Sequence, residues 1–278
     1  MGNLETLSGF YDRFTGLIEK LPSGLQKPIM AELEPMREVY LDQRPARIAL
    51  IGGDPAMTVP AWLASLGAGL VETGDSADGW RSYRVPGRGR VEIFDAREGA
   101  RVAAGADLSV EMRDEPGEAE RICEALPPSA RLEFARMTDA REAQRKIAMS
   151  SMKSFTAVCG VIGVQPIPLA DLPVLMAIQT LMVGMIIHVS GRRLSPRLVA
   201  EFLGALGVNF GIGLAFRQGA RALLKVVPVW GHAISGAMAG AGTYAIGRAA
   251  IAYFIDDAPR DEARRIFWKS KQPADPAS

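Results

Sequence analysis

Arg47-Ile48-Ala49-Leu50-Ile51-Gly52-Gly53, followed by Asp54-Pro55-Ala56-Met57-Thr58-Val59-Pro60, is the stretch on which the reading of the N-terminal half turns. An unbroken apolar run into paired glycines reads as a buried strand entering a tight turn, and Ala61 to Leu66 then reads as a helix. Strand, glycine turn and helix in that order cradle a phosphate when the turn has the form G-x-x-x-x-G-K-[ST]. Its amides surround the phosphates, the lysine neutralises their charge and the hydroxyl ligates magnesium. With Gly52 as the first glycine, Met57 stands where the second belongs, Thr58 replaces the lysine and Val59 replaces the hydroxyl. Pro55 and Pro60 flank the turn, and a proline has no amide hydrogen to offer an anion. Gly52, Gly53, Met57, Thr58 and Val59 therefore mark a degenerate loop, and neither a magnesium nucleotide nor any other cofactor is expected.

Downstream, Arg90 to Asp95 alternates like a strand and ends on a carboxylate, while Leu108 to Val110 and Arg131 to Phe134 are weaker strand candidates. Glu118 to Leu126 and Arg141 to Met149 have helical spacing. The sum is a small α/β unit over residues 46–149. Asp95 could be the aspartate of a GTPase D-x-x-G switch, but Glu98 holds the glycine position, Gly99 comes one residue late, and no N-K-x-D motif occurs. Asp95 therefore reads as the end of a strand. The order of elements nevertheless favours a truncated P-loop GTPase-like α/β domain over an unrelated one. Upstream, residues 1–45 form a helical lead-in: Leu4, Leu7, Tyr11, Phe14, Ile18 and Leu21 recur in steps of three and four and share one stripe. Leu25, Ile29, Leu33 and Met36 continue as a second helix.

Residues 150–256 are of another character. From Phe155 to Ala170 and from Leu172 to Gly191 there is no charged side chain, and the second run approaches the ~20 residues that cross a bilayer core. Pro166 to Pro173 punctuates a turn between them, Val199 to Phe216 reads as a further helix, and Val226 to Ile255 as a last one. The domain is all-α, glycine-rich and hydrophobic. Gly204, Gly207, Gly211 and Gly213 mark one of its helices, and Gly236, Gly240, Gly242 and Gly247 the next. Glycine costs about 1 kcal/mol against alanine within a helix, so close helix packing is the expected compensation. Lys153, then Arg192, Arg193 and Arg197, then Arg217, Arg221 and Lys225 follow or precede the apolar runs. If all lie on the cytoplasmic side, Phe155 to Val189 is a hairpin dipping into the membrane. Asp171 at its turn reads as a helix cap, with Arg248 as a conceivable partner. Residues 257–278 read as a charged, disordered tail.

Composition narrows the function classes. A net charge of +1 argues for no nucleic-acid partner. Cys123 and Cys159 suggest neither a disulfide framework nor a zinc site. His188 and His232, the sole histidines, sit in apolar segments, and Ser150-Ser151 has no histidine in register, so no catalytic or metal residue is expected. Glu5 and Asp12 within Met1 to Lys20 rule against a secretory signal.

Gln165-Pro166-Ile167-Pro168-Leu169-Ala170-Asp171-Leu172-Pro173, Ala205-Leu206-Gly207-Val208-Asn209, and the stretch from Lys225-Val226-Val227-Pro228-Val229-Trp230-Gly231 to Ala249-Ala250-Ile251-Ala252-Tyr253-Phe254 resemble the YcjF-related domain of unknown function that often follows small GTPase domains in bacteria. Leu21 to Leu50 resembles the lead-in to the P-loop of those GTPases. The resemblance implies a link to the inner membrane. GTP hydrolysis does not carry over, because Thr58 and Val59 stand where those relatives have lysine and a hydroxyl. The resulting expectation is a pseudo-GTPase: a non-catalytic, membrane-associated scaffold or assembly protein at the cytoplasmic face of the inner membrane, bound to lipid, to a protein partner and to copies of itself. The alternatives are a soluble interaction module with an apolar helical core, and an atypical GTP-binding hydrolase.

Overall fold

The computed structural model describes residues 2–42, 44–97, 104–164, 171–207 and 230–271. The chain divides into two compact units: Arg37–Ile147 with Val189–Arg193, and Met1–Met36 with Ala148–His188 and Leu194–Ser278.

The first unit is built on a five-stranded mixed sheet in the order β2-β3-β4-β1-β5. Its strands are β1 (Ala46–Gly53), β2 (Glu72–Ala77), β3 (Trp80–Val85), β4 (Gly89–Asp95) and β5 (Leu108–Met112). β1 lies parallel to both β4 and β5, with Ile48 opposite Ile93 on one side and Leu50 opposite Val110 on the other. One face of β1 presents Ala46, Ile48 and Leu50 to a core shared with α3 (Val59–Leu63), α4 (Glu118–Ala125) and α5 (Pro128–Met137). On the other face Ala49 and Trp80 form a smaller cluster with Phe94 and Ala106, none of them helical.

β2 and β3 have no counterpart in the sequence reading, because Glu72–Ala77 is polar and lacks a strand's apolar alternation. Their signal is the Asp78-Gly79 pair between them, with φ of 50° and 84°, the two-residue turn whose twist suits a hairpin. Arg131 to Phe134, expected as a strand, instead belongs to α5. Pro128 opens that helix with a preset φ, Ala130, Phe134 and Met137 are buried at helical spacing, and the Arg131 guanidinium caps the Glu124 and Leu126 carbonyls that end α4.

The second unit is helical, and the unit boundaries at 36/37 and 147/148 fall inside helices, α2 (Ser23–Tyr40) and α6 (Arg141–Val164). The stripe of α1 (Asn3–Ile18) buries Leu7, Phe10, Tyr11, Phe14 and Ile18, while Leu4 stays 42% exposed. α7 (Asp171–Val189) is buried at every position from Leu181 to Val189. Its Gly184 has the ring of Phe10 3.0 Å from where a Cβ would stand. Its Gln179 donates to Thr243 at 3.3 Å in α9 (Trp230–Phe254). A helix that is apolar all round needs such enclosure on all sides or a lipid environment. No helix among the described residues is long and apolar enough to cross a membrane.

Two features depart from the expected helices. α8 (Pro196–Ala205) does not run on to Phe216 as one helix: Gly207 takes φ of 80°, the left-handed stop that glycine adopts without strain, and residues 208–229 lie outside the described set. The charged tail holds α10 (Arg260–Lys271), an acidic first turn of Asp261 and Glu262 followed by the buried Ala263 and Phe267, and its proline-rich end, 272–278, lies outside the described residues. A mostly charged composition hid the helix, since two apolar anchors four residues apart suffice to seat one helix face.

Candidate functional site

In an open sheet with parallel strands, ligands collect outside the strands' carboxyl ends, where successive connections diverge to opposite sides. Here that point is the end of β1, between β4 and β5. Gly53 has φ of +116°, and a Cβ on it would stand 2.5 Å from the Met112 carbonyl oxygen. Only glycine lets β1 come this close to β5. The chain then folds on itself: Asp54 Oδ1 accepts from the Ala56 amide at 2.8 Å, and the Met57 amide donates to the Asp54 carbonyl at 3.1 Å.

Arg97 occupies the crevice. Its Nη1 donates to the carbonyls of Asp54 at 3.2 Å and Met57 at 3.0 Å. Its Nε and Nη2 grip Asp95 at 2.8 and 2.6 Å, engaging both carboxylate oxygens. The guanidinium holds the Asp95 carboxyl below the usual carboxylate range, chiefly through the hydrogen bond, with burial working in the opposite direction. A phosphate loop directs amide N–H groups inward. This loop spends its 56 and 57 amides on its own turn and points carbonyl oxygens at a cation, so its polarity is the reverse of an anion cradle.

The degenerate positions have structural occupations. Thr58 is the N-cap of α3, its Oγ1 accepting from the Ala61 amide at 3.4 Å. Val59 is buried with Trp62 and Leu63, and Met57 packs against the same core. Gly52 lies against Glu111, whose Cγ would be 3.1 Å from an added Cβ. Glu98 and Gly99 lie outside the described residues. Loop and Asp95 are thus brought together, as their order suggested, but through Arg97, which the sequence reading passed over. Its one signal was an arginine two residues beyond a strand-ending aspartate.

The singled-out residues of the helical unit divide three ways. Gly240 and Gly247 serve close packing: α6 comes within 3.5 Å of a Cβ built on Gly240, at the Thr156 carbonyl, and within 2.4 Å of one on Gly247, at Met152. Gly204 has nothing within 4 Å and Gly207 ends α8. Gly236 lies in α9, Gly211 falls outside the described residues, Asp171 opens α7, and Arg248 is exposed on α9. Between these helices Thr243, fully buried, is hydrogen-bonded to both Gln179 and Cys159. Burial pushes the Cys159 thiol up to about 12, and Cys123 rises for the same reason. Among the described residues no group of His, Cys, Asp and Glu could hold a metal ion.

No known protein family, curated protein or solved structure matches this chain.

Proposed function

We propose that this protein is a non-catalytic scaffold or assembly protein of pseudo-GTPase type, working through protein contacts, self-association and attachment to the cytoplasmic face of the inner membrane. The observation that carries the non-catalytic part is Arg97, hydrogen-bonded to the carbonyls of Asp54 and Met57 where a nucleotide's phosphates would need amides and a lysine. The truncated GTPase-like ancestry is supported by the glycine loop after β1 and by Asp95 at the end of the adjacent parallel strand. The YcjF-related assignment of residues 150–256 is proposed on the sequence resemblance. Because Leu181 to Val189 of α7 are buried, membrane association is read as peripheral. The test is equilibrium titration with a fluorescent GTP analogue and magnesium: no saturable binding is expected up to millimolar concentration, and micromolar affinity would restore the hydrolase reading.

One observation favours a second reading. The burial of Leu181 to Val189 is what a soluble interaction module with an apolar helical core requires. Cell fractionation separates the two: recovery with membranes supports attachment, and a soluble, monodisperse protein supports the module.

A further inference from the structure

We infer that α10 is the surface through which this protein docks on an anionic lipid bilayer. The inference rests on the membrane-associated reading above and specifies where contact is made. α10 carries Arg260, Arg264, Arg265, Lys269 and Lys271 against Asp261 and Glu262, both in its first turn, so cations outnumber carboxylates five to two and lie mostly beyond that turn. Ala263 and Phe267, buried against their own unit, set the rotation of the helix, and Arg264, Arg265, Trp268 and Lys269 are exposed. On a helix these four fall within one outward arc, which the exposed Asp261 shares one turn earlier. Elsewhere exposed arginines such as Arg113, Arg145 and Arg197 each hold a nearby carboxylate. Among the described residues Arg264, Arg265 and Lys269 have no such ion pair, so their charge is directed outward.

Two further features select lipid over another polyanion. Trp268 is 47% exposed, and an indole with an apolar body and one N–H donor suits the headgroup boundary. Beside it lies a cleft of about 480 Å³ between α8, the end of α9 and the start of α10, with Leu198, Phe202 and Leu206 in its wall. Arg264 lines this cleft, as does Arg260, whose Nε donates to the Tyr253 hydroxyl at 3.3 Å. Glu201 and Asp261 line it too and balance the two arginines, so the recess offers its apolar wall to the first carbons of a lipid chain while the phosphate heads meet the cations on the outward arc of α10. A nucleic acid would meet the cations but has no use for the recess.

The experiment is co-sedimentation of the full chain with phosphatidylcholine vesicles, with and without phosphatidylserine, across a salt series. Binding is expected on the serine-lipid vesicles only and should weaken with salt. The triple variant R264Q/R265Q/K269Q, of near-equal helix propensity, should lower partitioning on the order of 100-fold, at about fivefold per cation near an anionic surface. W268F should weaken binding without altering its salt dependence. An unchanged circular dichroism spectrum and thermal midpoint verify folding. If the natural sequence binds anionic vesicles and the triple variant binds equally well, the assignment to α10 is overturned while membrane attachment stands. If the natural sequence binds neither vesicle, both fall. Preferential binding of single-stranded RNA over the vesicles, lost in the triple variant, also overturns the lipid assignment.

Discussion

Replacing Arg97 by alanine separates a structural plug from a nucleotide pocket. The substitution removes two hydrogen bonds to the Asp54 and Met57 carbonyls and the fork on Asp95. The Arg97 side chain is 18% exposed, but Asp95 is 40% exposed, so water screens the ion pair to about 1 kcal/mol. The carbonyl bonds add about 1 kcal/mol, since solvent can enter and replace them in part. Arg97→Ala should therefore cost about 2 kcal/mol in urea-induced unfolding, read as a lower midpoint with an unchanged slope. The acid response supplies a second readout. Asp95 titrates lower in the folded chain than its unfolded value of about 3.9. Its contribution is thus present above that value and is lost as pH falls through the folded pKa. The variant should show a shallower loss of stability below about pH 4, because its Asp95 no longer has a folded-state preference for the charged form. It should still not bind GTP, since the inward carbonyls, the Asp54 carboxylate and Thr58 in place of lysine all remain. Unchanged stability, or a new affinity for GTP, would refute the account of Arg97 as the element that closes the crevice.

Other substitutions probe the same frame. Gly53→Ala puts a Cβ against the Met112 backbone at a φ hostile to L-residues, and should cost about 3 kcal/mol by urea unfolding. Gly247→Ala meets the flexible Met152 side chain, so the cost should be nearer 1 kcal/mol, with Met152→Ala in the same chain relieving the overlap. Glu133→Ala leaves the Arg136 guanidinium, 6% exposed, without its carboxylate, and should cost about 3 kcal/mol. The same pair predicts a pH dependence: burial raises Glu133, so that group's contribution is full below its unfolded pKa and is lost as pH rises through the folded one. A thiol-titrating reagent should leave Cys123 and Cys159 untouched in the native protein and label both after denaturation.

How far the chain could be read from its residues depended on how local each cause was. The stripe of α1, the strand and glycine turn at β1, and the carboxylate ending β4 are each announced within a few neighbours and lie where expected. β2 and α10 were missed because each is held by contacts to other elements while its own sequence is polar. Arg131 to Phe134 misled because a four-residue window cannot distinguish two periods that diverge only over a full turn.

Side-chain chemistry settled what the loop lacks: without lysine and hydroxyl at 58 and 59, no arrangement of the backbone supplies their charge and their ligand. What fills the space instead was out of reach of pattern, because Arg97 is brought to Asp54 and Met57 by the parallel pairing of two strands more than forty residues apart. The apolar run of α7 was ambiguous for the same reason. Hydropathy measures a preference for leaving water, and enclosure by neighbouring helices satisfies that preference as well as lipid does.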